Sequence, residues 1–216
     1  GLALRTEIPE VATERSRAAR RHGAILTSVD TSTRSELVAV LSDGTAHRFS
    51  PADLPQVPSA SVTMSAGVSL AAYLGLTSDD HIVGIVAADE AAPVALFTRH
   101  GTVKRVLLTE LSSKPVTALI TLREHDSVVH CAVAPDSSDL VFVTSDAQLL
   151  HFNAKQVRPQ GRSASGMAGI KLAEQARVIC AAVLAEQNIQ DATVVTVARN
   201  GDALLGADAS SAKLSS

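Results

Sequence analysis

Residues 147–173 contain no aspartate or glutamate, yet they carry Lys155, Arg158, Arg162 and Lys171, together with His151. Between the cations lie Gly161, Ser163, Ser165, Gly166 and Gly169. Small residues let a backbone come close to a phosphate, so that amide N–H groups donate beside a guanidinium. This pattern points to binding of a polyanion. A second basic cluster is Arg99, His100, Lys104 and Arg105, and a third is Arg15, Arg17, Arg20 and Arg21. The formal net charge is −3, so any nucleic-acid binding must rest on such local patches and not on the chain as a whole.

The residues that could support catalysis do not combine. Tyr73 is the only tyrosine and sits in the apolar run Ala71-Ala72-Tyr73-Leu74. Neither a base nor a cation stands beside it in sequence, and a covalent nucleophile needs one. It therefore reads as packing. The seven histidines lack metal-ligand spacing, and there is no Walker A loop and no G-x-G-x-x-G after a strand. No catalytic residue and no metal ligand is assigned. Cys131 and Cys180 match neither a disulfide framework nor a zinc motif and read as two small buried hydrophobes. No apolar run reaches the roughly 20 residues of a membrane span, and no signal-peptide pattern opens the chain. A cytoplasmic protein, with no membrane partner, is expected. The chain starts at Gly1 without a Met and stops in a polar tail, as a segment of a longer protein would.

The basic residues must be positioned by something, and an internal repeat supplies it. The 216 residues are 46% hydrophobic but only 2% aromatic, so the core is built from Val, Leu, Ile and Ala. Val-rich runs favour strands. Four similar segments recur: 37–49, 94–106, 140–152 and 194–205. Each reads as an apolar strand, a turn and a second strand. The turns fall at Gly44, Gly101, Ala147 and Gly201, roughly every 50 residues. Asp43-Gly44 and Asn200-Gly201 favour type I′ turns, while His100-Gly101 and Asp146-Ala147 are weaker versions. A further strand precedes each hairpin, at 24–29, 81–86, 127–133 and 177–183. A short apolar segment follows the first and third copies, at 67–70 and 166–172. His47 and His151 fall at nearly equivalent repeat positions, each beside a Phe. Cys131 aligns with Ala181, and Cys180 with His130, which puts the thiols on opposite faces of equivalent strands and argues against a bridge. The expected fold is all-β, a propeller-like array of about four four-stranded blades over 23–216, not necessarily complete. Residues 1–22 stand outside the repeat as a tether or short helix.

The segment Thr98-Arg99-His100-Gly101-Thr102-Val103-Lys104-Arg105 resembles the T-x-x-G-x-x-K-R hairpin of the C-terminal domain of the A subunits of DNA gyrase and topoisomerase IV. Arg158-Pro159-Gln160-Gly161-Arg162 through Gly166-Met167-Ala168-Gly169-Ile170-Lys171-Leu172 resembles the same family's R-x-x-G-R-x-x-x-G-V-x-G-I-K-L segment. The resemblance implies a β-pinwheel of strand-swapped blades that bends double-stranded DNA around a basic rim. It implies DNA contacts at Arg158, Arg162, Lys171, Lys104, Arg105, Arg99 and Arg48. It also implies that the fragment is not itself an enzyme and holds no cofactor. ATP and Mg2+ would serve the parent complex elsewhere, and the partners would be the ATPase B subunit together with the rest of the A subunit. The Q-R-R-G-G-K-G box of gyrase is not found in these residues, which fits either a topoisomerase IV-like role or a box that lies outside this segment. The competing reading is a β-propeller that scaffolds protein partners.

Overall fold

The computed structural model describes residues 2–6, 27–58, 66–111, 113–189, 192–193, 195–197 and 203–205. The repeated segments do form antiparallel hairpins. The first pairs β2 (Leu37–Leu41) with β3 (Thr45–Phe49), and the second pairs β6 (Val94–Thr98) with β7 (Thr102–Val106). The third pairs β10 (Asp139–Thr144) with β11 (Leu149–Asn153), and the fourth β14 (Val195–Val197) with β15 (Ala203–Leu205). The turn at Gly201 lies outside the described residues.

The other three turns differ from the type I′ expectation. Gly44, Gly101 and Ala147 each donate N–H to the carbonyl three residues back and have φ of +83°, +82° and +62°. Neither Asp43 nor His100 has positive φ, so each turn is type I followed by one left-handed residue, the three-residue hairpin loop. In the third hairpin that residue is Ala147, whose Cβ is strained there. Ala147→Gly is expected to raise stability by about 0.5–1 kcal/mol net, the left-handed strain of roughly 1–2 kcal/mol less roughly 0.5–1 kcal/mol for the unfolded-state entropy of the glycine. An unchanged or lower midpoint in urea denaturation would count against that strain.

The strand that precedes each hairpin does not join it. β5 (Ile82–Ala87) pairs with β2 of the hairpin before, β9 (Val128–Val133) with β6, and β13 (Val178–Leu184) with β10. Each pairing has a register shift at the same place, after Val40, Phe97 and Val143. The far edge of the first two sheets is also swapped. β8 (Val116–Ala118) pairs with β3, and β12 (Met167–Ala168) with β7. Thus the first sheet runs β5-β2-β3-β8 and the second β9-β6-β7-β12, while the third is β13-β10-β11. Two sheets have all four strands; the third has three among the described residues.

The N-terminal segment departs from expectation. Leu2–Ala3 form β1 and pair with β4 (Val68–Ser69), in the register that β7 keeps with β12. Residues 2–6 therefore belong to the repeat; residues 7–22, with the third basic cluster, lie outside the described part. Residues 24–26 of the first predicted strand lie outside it too, and 27–29 form no strand.

The first strand of each of the three hairpins is buried throughout. Its alternating side chains serve two cores. Val38 and Val40 pack with Val94 and Leu96 between the first two sheets, and Ala95 and Phe97 pack with Leu140 and Phe142 between the second and third. Leu37, Ala39 and Phe49 meet Leu70 and Leu54 on the outer face of the first sheet. A strand covered on both faces reads as a continuous apolar run, which is how these appear in sequence. β5, β9 and β13 pack against one another in turn, so adjacent sheets meet along them. Gly84 sits at a close approach between two of them: a Cβ there would lie 2.4 Å from Cys131 Sγ. Both cysteines are free; Cys131 is buried, which pushes its thiol up to about 12, whereas Cys180 is exposed, against the expectation for it.

Candidate nucleic-acid interface

The geometry of β7 decides the site. Lys104 lies opposite Leu96 and shares its face toward the first sheet; Arg105 lies opposite Ala95 and faces the third. Both side chains are fully buried, at 0% exposure. The expectation that they contact DNA is therefore corrected. A strand end rich in cations looks solvent-facing in sequence, but here a neighbouring loop covers it.

That loop is the acid-free segment 157–166, which crosses from the third sheet to the edge of the second. Lys104 Nζ donates to the carbonyl oxygens of Gly161 at 2.7 Å, Arg162 at 3.1 Å and Ala164 at 2.9 Å. A fourth acceptor, Leu119 O at 2.6 Å, follows β8 of the first sheet. Arg105 holds the loop's root: Nη1 donates to Ala154 O at 2.8 Å and Val157 O at 2.9 Å, and Nη2 to Asp136 Oδ1 at 2.6 Å. The backbone of Arg105 also accepts from Gln160 N–H. Two buried cations thus frame one loop, with Lys104 at its apex and Arg105 at its base. Among the described residues no carboxylate is a hydrogen-bond partner of Lys104. Carbonyl dipoles replace only part of the lost hydration, and burial pulls its pKa down to about 8, which leaves it charged at neutral pH.

The loop's own cations point the other way. Arg158 and Arg162 are exposed, as are Ser163 and Ser165, and Lys155 flanks them. Thr121 fastens the loop to the first sheet through its N–H to Ala164 O and its hydroxyl to Ser163 O. Gly166 ends the loop at φ +82°, where a Cβ would lie 2.6 Å from Val103 O, so only glycine lets the chain enter β12 against β7. Beyond β12, Ile170 is buried and Lys171 exposed.

The remaining predicted contacts lie apart from this loop. Arg99 is exposed in the turn of the second hairpin. Arg48 is 14% exposed and ion-paired with Glu36 at 3.0 Å. Its register makes it the counterpart of Arg105. Arg5, which belongs to none of the three basic clusters, holds the same position in the N-terminal strand: its Nε donates to Leu54 O at 3.0 Å, and Arg5 bridges Gln56 as Arg105 bridges Pro159. His151 is the counterpart in the third hairpin and pairs with Asp139 at 3.0 Å. His47 aligns with Lys104, one position from the place of His151 in the repeat, and so lies on the opposite face. Arg5 is detectable as a basic residue just after a short apolar strand.

Tyr73 is 43% exposed and donates to Asp53 Oδ2 at 2.6 Å, and that bond raises its pKa. A raised phenol is a poor nucleophile. Among the described residues no group of three potential ligands could hold a metal, and no helix is long and apolar enough to cross a membrane.

Residues 93–135 and 138–183, which span the second and third sheets and the rim loop, match the family model described as DNA gyrase C-terminal domain, beta-propeller. This chain is similar to that family over those two segments, which make up less than half of its length. The DNA gyrase A subunit of Staphylococcus aureus (strain MRSA252) is 25% identical over 174 residues, which is 78% of this chain and 19% of the relative. The chain thus spans about a fifth of the curated relatives it matches. Among solved structures, the C-terminal domain of DNA topoisomerase IV superposes with a TM-score of 0.72 at 19% identity, covering 94% of this chain and 63% of that one. The E. coli ParC C-terminal domain gives 0.59 at 18% identity, covering 81% and 69%. These likenesses establish the fold as the all-β pinwheel type of the gyrase A family.

Proposed function

We propose that this chain is a DNA-binding and DNA-bending C-terminal domain of a type II topoisomerase A subunit, of gyrase or topoisomerase IV type. The observation that carries the reading is the acid-free loop 157–166, with Arg158 and Arg162 exposed on a frame of buried cations. Lys171 and Arg99 extend the cationic surface. A bent duplex must be held whatever its sequence, so the contacts are to phosphate and not to base edges. The domain would present DNA to the breakage-reunion core of its parent protein in the cytoplasm, at the nucleoid. It would carry no catalytic step: ATP and Mg2+ would act in the parent assembly, with hydrolysis in the partner B subunit.

A fluorescence titration with two unrelated duplexes at 50 and 200 mM salt tests this. Similar affinity for both, falling steeply with salt, is the expected result. No binding even at 50 mM overturns it and favours a scaffold for protein partners.

A further inference from the structure

Lys104 is buried and cannot touch DNA as its type suggests, but its contacts give it another part in the same site. Three of its four acceptors are carbonyls of the rim loop: Gly161, Arg162 and Ala164. There are no cis peptides among the described residues. In a trans peptide the C=O and the following N–H point in opposite directions. Carbonyls turned inward onto the ammonium therefore turn the N–H groups of Arg162, Ser163 and Ser165 outward. Among the described residues none of these three amides has a protein acceptor, whereas Ala164 N–H does, in Gly161 O. All three residues are exposed. A neutral side chain at 104 could not impose this: an ammonium alone offers three donors at one point.

We infer that Lys104 is a positioning residue that inverts the rim loop, so that the amides of Arg162, Ser163 and Ser165 face outward as donors to the phosphates of a duplex, beside the guanidinium of Arg162. The amides radiate from a common centre and do not converge, which suits neighbouring phosphates of a strand better than one enclosed ion. The inference rests on the DNA-binding reading of the same loop and adds to it which donors act and what orients them.

Lys104 is buried, so it displaces no counterion from DNA. Its replacement should remove hydrogen bonds without changing the number of neutralised phosphates. The test uses the 15N-labelled chain with a duplex, in wild type and Lys104→Met. In wild type, the amide resonances of Arg162, Ser163 and Ser165 are expected to shift saturably with DNA. In the variant those shifts should vanish and affinity should fall at least about tenfold, the worth of one bond to a charged acceptor. The slope of log K against log salt should stay the same. Amides of Val94–Val106 report that the variant is folded; if it is not, the wild-type arm decides alone. Salt-sensitive binding with the three amides unmoved overturns this inference and leaves the DNA-binding reading standing. So does a salt slope flattened by about one in the folded variant, since Lys104 would then meet phosphate itself. No binding by the wild type overturns both.

Discussion

Lys104→Met is expected to lower unfolding free energy by about 2–4 kcal/mol, measured by urea denaturation. Methionine fills the stem's volume but takes away the donor of Arg162 O and of the buried Leu119 O, whereas Gly161 O and Ala164 O keep the N–H groups of Ala164 and Thr121. A buried acceptor left without a donor costs about 1–3 kcal/mol, and Arg162 O, on the rim loop, recovers part of this from water. For a domain with a typical stability of about 5–15 kcal/mol, this is a large fraction. The effect also has a pH signature. The folded pKa is lowered from 10.5 to about 8, so between those values the unfolded chain holds more protons than the folded one. Stability linked to this group therefore rises as pH goes from 8 to 10.5, and is at its lower level below 8. The gap between wild type and Lys104→Met should widen over that window. A gap that stays constant would mean that the buried ammonium titrates like a free lysine.

The largest expected effect on binding comes from Arg158→Ala combined with Arg162→Ala. Both side chains are exposed, so stability should move by no more than about 0.5 kcal/mol. Two lost phosphate contacts would flatten the salt slope by up to about two and weaken binding on the order of 10- to 50-fold near 0.1 M salt, equally on unrelated sequences. This contrasts with Lys104→Met, which should alter stability strongly and the slope not at all. Wild-type binding by the double variant at several salt concentrations would remove the loop from the interface. Unfolding of that variant would make the arginines structural.

Much of the architecture is legible in the sequence for local reasons. Five-residue apolar runs flanked by Asp43-Gly44 or His100-Gly101 specify hairpins, because strand pairing and turn geometry are set within about a dozen residues. The recurrence of those hairpins, and the Gly-rich basic segment 157–172, are readable in the same way. So is the alignment of Cys131 with Ala181, which the registers against Leu96 and Phe142 reproduce. The turn type differs from expectation because Asp-Gly favours two-residue loops in isolation, while these strands leave five residues between the last paired positions.

What lies beyond the sequence depends on contacts between distant segments. Nothing local says that β5 serves the hairpin before it, since the hairpin that follows lies closer along the chain; the choice is made by sheets stacking along their shared strands. The same holds for β8, whose three residues 116–118 carry no turn or periodic signal and become a strand only against β3. Lys104 and Arg105 show the difference most sharply. Their types tell of positive charge, but a strand's alternation fixes only that they face opposite ways, not what covers each face. Covering by the loop 157–166 on one side and by the turn at Ala154–Gln156 on the other comes from residues some 50 to 60 positions away. That enclosure turns two apparent DNA contacts into the frame on which Arg158 and Arg162 are held.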